Sequence, residues 1–152
     1  MRLLVMVHSR SGGTERLAQA ALAGASDDAI EGVEVDVRPP TDIDADAVRA
    51  CDGILVATPE HFGAMAGLVK DCFERIYYEV IDETRGLPYA LIVKGRHDGT
   101  GTVRGIESIC TGLAWKQIAP PLVVIGDPDD DHLAAATELG GTLAAGLSLG
   151  IF

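Results

Sequence analysis

The chain has no asparagine, so it cannot carry an N-linked glycan. It has three cysteines among 152 residues, and Cys51, Cys72 and Cys110 are widely spaced. That odd, scattered set excludes a disulfide framework and a Cys-x-x-Cys site. Reduced, mostly buried thiols in a cytoplasmic protein are the expectation. Positive charge is scarce as well: 12 Lys and Arg stand against 23 Asp and Glu, a net charge of −11. A nucleic-acid partner is therefore not expected, because phosphate backbones need a basic surface. The same argument disfavours an anionic membrane surface. No apolar run approaches the ~20 residues of a membrane helix, and the N-terminus enters a strand pattern without a signal-peptide layout. The histidines, His8, His61, His97 and His132, show no metal-ligand spacing, so no metal is expected.

What is present is a full core. Hydrophobic residues make up 47% of the chain, and no repeat or linker divides it, so one domain over residues 1–152 is expected. Short apolar runs alternate with amphipathic stretches. The runs predict strands at Leu3–Val7, Val33–Val37, Gly53–Ala57, Tyr89–Val93 and Leu122–Ile125. Several are continuously apolar, as parallel strands covered on both faces must be. Helices are predicted at Thr14–Ala23, Ala45–Ala50, Gly67–Val80, Thr102–Gly112 and Asp131–Leu147. In the third, Leu68, Val69, Cys72, Phe73, Ile76 and Val80 form one stripe, with Lys70, Asp71, Glu74 and Arg75 opposite. Asp129, Asp130 and Asp131 read as the start of the last helix rather than a metal site. Trp115 reads as packing. Five strands alternating with five helices make a doubly wound α/β domain, which binds ligands beyond the carboxyl ends of its strands.

Three polar, glycine-rich segments follow strand ends. The first is His8-Ser9-Arg10-Ser11-Gly12-Gly13-Thr14, leading into a helix. Unpaired N–H groups at a helix start, with glycines and hydroxyls, make an anion site. It lacks the Gly-x-x-x-x-Gly-Lys-Ser/Thr of a nucleoside-triphosphate loop and the Gly-x-Gly-x-x-Gly of a dinucleotide fingerprint. A phosphate monoester held by hydroxyls and amides, without lysine or metal, remains. An ordinary turn capped by Ser and Thr is the alternative. The second segment is Thr58-Pro59-Glu60-His61-Phe62-Gly63-Ala64-Met65. There Met65 reads as packing beneath a loop and Phe62 as a contact to a flat ligand. The third is Lys94-Gly95-Arg96-His97-Asp98-Gly99-Thr100-Gly101-Thr102, whose glycines permit close approach to such a ligand.

Ser9-x-Ser11-Gly12-Gly13-Thr14 resembles the flavodoxin phosphate loop, with Gly13 where that family usually has Asn. Thr58, Pro59, Phe62, Gly63 and Met65 match the flavin loop of the tryptophan-repressor-binding-protein-like quinone reductases. Leu68-Val69-Lys70-Asp71 is similar to a Leu-Lys-Asn segment of small flavin reductases, and His97-Asp98-Gly99 partly matches a His-Gly-Gly segment of the quinone reductases. The resemblance implies a flavodoxin-like three-layer α/β/α sandwich with a five-stranded parallel sheet in the order 2-1-3-4-5. It implies an FMN site made of Ser9, Arg10, Ser11, Gly12, Gly13, Thr14, Pro59, Glu60, His61, Phe62, Gly63, His97, Asp98 and Gly99. His97 is the one candidate for a catalytic role, donating to flavin or quinone, with a solvated loop histidine as the alternative. Arg96 is a candidate for a substrate phosphate or carboxylate. The implied activity is an NAD(P)H-dependent oxidoreductase, with NADPH or NADH passing hydride through FMN to a quinone or other small acceptor. Reductases of this type often form homodimers or homotetramers. An electron carrier docking a protein partner, or an FMN-free binding domain, would share the fold. Neither the second nor the third loop offers the Trp or Tyr with which carriers cover the flavin ring.

Overall fold

The apolar runs become strands in the computed structural model, which describes residues 1–152. The order is β1 (Arg2–Val7), α1 (Gly13–Ala25), β2 (Glu34–Arg38), α2 (Ala45–Arg49), β3 (Gly53–His61), β4 (Ala64–Met65) and α3 (Gly67–Val80). Then come β5 (Pro88–Gly95), α4 (Thr100–Gly112), β6 (Lys116–Gln117), β7 (Leu122–Ile125) and α5 (Asp130–Leu149). The parallel strands run β2-β1-β3-β5, and both β6 and β7 pair with β5. Counted by apolar runs, this is the expected order 2-1-3-4-5.

Two additions make the sheet seven-stranded. The fifth strand is split: Lys116–Gln117 lies beside Pro88–Tyr89, and Leu122–Ile125 beside Ile92–Gly95. Pro120 and Pro121 stand between the halves. Proline has no N–H to give the ladder, so pairing lapses there. The other addition is the antiparallel pair of β3 with β4.

Strand alternation divides the core into two layers. Leu4, Met6, Ile54, Val56, Leu91 and Val93 pack with α3 and α4. Leu3, Val5, Leu55, Ala57, Ala90 and Ile92 pack with α1 and α5. Burial on both faces explains why these strands carry so few polar residues. On α3, Val69, Cys72, Phe73, Ile76 and Val80 are buried as expected, while Leu68 is exposed, one position outside the stripe. Lys70–Glu74 and Asp71–Arg75 pair across its outer face.

The acidic run before α5 is a cap. Asp129 Oδ1 accepts the His132 N–H at 3.0 Å, and the Asp129 N–H donates to His132 Nδ1 at 3.2 Å. Trp115 is buried against Phe73 and Tyr89, and its indole N–H donates to Thr84 Oγ1 at 2.9 Å. All three cysteines are free and buried. Burial pushes the Cys51 and Cys110 thiols up to about 12 and Cys72 to about 11, so they are inert thiols rather than nucleophiles. No helix is long and apolar enough to cross a membrane.

Candidate functional site

At the carboxyl edge of the sheet the three polar segments meet. They enclose a cleft of about 430 Å³. Arg10 and Ser11 line it from the β1–α1 loop, Pro59 to Phe62 from the end of β3, and Lys94 to His97 from the end of β5.

The β1–α1 loop is not a side-chain-capped turn. Gly12, at φ 90°, occupies the cap position of α1 and no side chain bonds the first turn. Ser9 Oγ accepts the Gly12 N–H at 3.2 Å, and the Gly12 carbonyl accepts the Arg16 N–H at 3.0 Å. The N–H groups of Ser11, Gly13, Thr14 and Glu15 have no acceptor within the protein. Gly13 and Thr14 are buried. Buried amides without partners are rare, and here they sit at the positive end of a 13-residue helix. An anion fits this loop.

The sequence pattern expected no lysine at that anion site, yet β5 brings one. Lys94 is only 8% exposed, and its side chain makes no hydrogen bond or ion pair. Its stem lies so close to Gly13 that a Cβ added there would stand 2.8 Å from Lys94 Cε. The signal was legible in principle: Lys94 alternates with Ala90 and Ile92, which face α1 and α5.

The segment 58–65 is a β-hairpin rather than a loop. Thr58 and Pro59 continue β3 beside Val93 and Lys94, then Glu60 pairs with Met65 and His61 with Ala64. The two turn residues, Phe62 (φ 53°) and Gly63 (φ 75°), are both left-handed, as tight hairpins require. A bulky residue there costs about 1–2 kcal/mol, and Phe62 is fully exposed at 108%. Strain and exposure of an aromatic at a cleft mouth point to ligand contact. Met65 packs into the core, as expected. A Cβ on Gly101 would collide with the Gly63 carbonyl oxygen, so the tip rests on the start of α4.

Two expected cofactor residues have work inside the protein. Glu60 Oε1 accepts the His97 N–H at 3.0 Å, and Oε2 accepts the Gly99 N–H at 2.9 Å. Its carboxylate thus ties hairpin to third loop. Asp98 Oδ1 accepts the Thr100 N–H at 2.9 Å, which starts α4 and holds that carboxyl below its ordinary value. Gly99 is buried at φ 71°. His97 and Arg96 are exposed on the cleft wall. His8, which the motifs did not single out, meets His61 edge-to-face at 6.2 Å between ring centroids. Burial, then the His61 and Arg10 charges, lower the His8 pKa, so it joins loop and hairpin as a neutral ring near pH 7.

The family model for the NADPH-dependent FMN reductases matches residues 1–128. The chain belongs to this family. Membership makes it an FMN-binding flavoprotein of the oxidoreductase class. Its fold is shared with solved structures of low identity. A flavodoxin from the domain Archaea superposes with a TM-score of 0.84 at 20% identity, covering 97% of this chain and 99% of the other. A WrbA-like flavodoxin from Agrobacterium tumefaciens gives 0.78 at 16%, covering 97% and 98%. An NADH:FMN oxidoreductase in its apo form gives 0.74 at 16%, covering 94% and 87%.

The residues present fit FMN: unpartnered amides suit its phosphate, and an exposed, strained phenyl ring suits its isoalloxazine. This FMN reductase-family chain should therefore answer to Phe62→Asn with two effects of opposite sign. Asn tolerates the left-handed turn, so unfolding free energy should rise by about 1 kcal/mol. Loss of the ring should weaken FMN about tenfold, for about 1.4 kcal/mol of aromatic contact. Chemical denaturation of the stripped protein and a flavin titration read the two separately.

Proposed function

We propose that this protein is an NADPH-oxidising reductase that delivers reducing equivalents to a quinone or related small acceptor. The observation that carries the reading is the uncovered cleft. No Trp or Tyr lies on the hairpin or on residues 96–99, and Phe62 projects from the hairpin tip. A flat nicotinamide and then a flat acceptor have room against a ring held there. FMN, when bound, supplies the hydride relay between them.

The chain's own residues bind, orient and attract. The free amides of Ser11, Gly13, Thr14 and Glu15 hold the phosphate end. Glu60 holds residues 97–99 in place, so the ring is approached by fixed backbone. Arg10 and Arg96 are exposed on the cleft and carry no carboxylate partner. In a chain of net charge −11, a cleft bearing Arg10, Lys94 and Arg96 concentrates anionic ligands. Arg96 supports the nucleotide phosphate reading. His97, exposed on the cleft wall beside Arg96, is the candidate proton donor to the acceptor.

Anaerobic mixing of FMN-loaded protein with NADPH tests the proposal. The flavin's visible absorbance should bleach and should return on adding a quinone. Protein that holds FMN but is bleached by neither NADPH nor NADH would be an electron carrier reduced by a protein partner. Protein that takes up no FMN would be a binding domain without flavin.

A further inference from the structure

We infer that Lys94 is the charge-bearing residue of the phosphate site and selects phosphorylated flavin over its unphosphorylated form. The inference deepens the FMN reading and rests on it for the identity of the ligand.

A lysine whose side chain is nine-tenths buried normally brings its ammonium group to a carboxylate or carbonyl partner. Lys94 has none. Two acids share its surroundings: Glu60 across the cleft, and Asp127 in the recess on its other side. Neither forms an ion pair with it. Glu60 is already bonded to the amides of His97 and Gly99. The stem of Lys94 lies against Gly13 at the start of α1, where the amides of residues 13–15 are free donors at the positive end of the helix. A cation beside orphaned N–H groups at a helix N-terminus is repelled by them, and an anion bound between them relieves that repulsion. A phosphate dianion satisfies all of them at once, since it offers three strong acceptor oxygens.

Gly13 supplies an independent sign. The flavodoxin phosphate loop that this segment resembles usually has Asn at this position. A Cβ here would come 2.8 Å from Lys94 Cε, 3.3 Å from Cδ and 3.5 Å from Cγ. Any larger residue would therefore push the lysine aside. The missing side chain at residue 13 and the lysine at residue 94 are one device: the loop gives up a polar side chain, and the strand sends a charge into the space.

The test compares FMN, riboflavin and inorganic phosphate as ligands of the stripped full-length protein. In Lys94→Met, FMN should weaken on the order of 30-fold, as loss of one charge-assisted contact to phosphate predicts. Riboflavin, which has no phosphate, should change by less than about threefold. Inorganic phosphate should raise the melting temperature of the unsubstituted protein and not that of Lys94→Met. FMN affinity should also climb with pH across the second phosphate ionisation, about pH 6, and climb less in the variant. Gly13→Asn should lower the FMN-to-riboflavin ratio by displacing the lysine, and adding Lys94→Met to it should lower the ratio little further. If Lys94→Met melts too early to titrate, Gly13→Asn alone decides by the same ratio. Equal losses for FMN and riboflavin, with phosphate stabilisation retained, would overturn the inference while leaving the FMN reading intact. Phosphate stabilisation that depends on Lys94 in a protein taking no FMN would overturn the FMN reading and keep the phosphate site. Binding of neither FMN nor phosphate would overturn both.

Discussion

Glu60→Ala should abolish hydrogen-exchange protection at Gly99 and weaken FMN by about two orders of magnitude. The carboxylate accepts N–H groups from His97 at 3.0 Å and Gly99 at 2.9 Å. A hydrogen bond to a charged acceptor contributes about 1.5–3 kcal/mol. His97 is exposed and its amide can turn to water, whereas Gly99 is buried and its amide cannot. The local cost is thus about 3 kcal/mol, equivalent to roughly 100-fold in affinity if flavin must reorder the segment. Glu60→Gln keeps one carbonyl acceptor and should lose about half of that free energy. Melting should shift by only a few degrees, because residues 96–99 lie at the sheet edge, outside both core layers. If Glu60 instead acts on the flavin ring alone, Glu60→Ala would weaken FMN while Gly99 kept its protection. The exchange measurement is what separates a residue that shapes the cleft from one that touches the cofactor.

Gly140→Val should be the most destabilising single change on the face opposite α3 and α4. A Cβ at Gly140 would collide with the Ala21 carbonyl oxygen of α1, and one at Gly24 would collide with the Thr137 carbonyl oxygen of α5. Both obstacles are helix backbone, which cannot rotate away as a side chain can. The helices must separate, which opens the layer containing Leu17, Ala21, Leu143 and Leu147. The expected cost is about 3 kcal/mol, or roughly 10 °C in melting temperature for a domain of this size. Gly141→Ala provides the contrast. Its Cβ would meet the Gly24 carbonyl at 3.4 Å, an ordinary contact, while alanine is the better helix former by up to about 1 kcal/mol. The neighbouring substitutions should therefore move stability in opposite directions. Equal melting temperatures for Gly140→Val and the unsubstituted protein would show that the crossing is looser than its backbone contacts imply.

Much of the architecture was legible along the chain. Leu3–Val7 and Gly53–Ala57 read as buried strands, because each is a short apolar run without a solvent face, followed by turn residues. Helix α3 announced itself by its stripe, and the start of α5 by Asp129. The three loops were legible as partners because parallel strands deliver their carboxyl ends to one edge. The hairpin at Phe62-Gly63 was not legible: Asn-Gly or Asp-Gly would have signalled that turn, and Phe-Gly does not. The split of the fifth strand had a signal in Pro120-Pro121, but Lys116–Gln117 is too short to show a pattern.

The sequence by itself determined the element order and marked the glycine- and hydroxyl-rich loop at the start of α1, because each follows from local pattern, while the sheet order followed from the resemblance to the flavodoxin-like fold. Only the tertiary structure decided what Glu60 and Lys94 do. Glu60 reaches amides 37 and 39 residues away, and Lys94 packs against Gly13 in a β1–α1 loop that has no lysine of its own. Burial and hydrogen bonding across such distances depend on which strands lie side by side, and no local spacing records it.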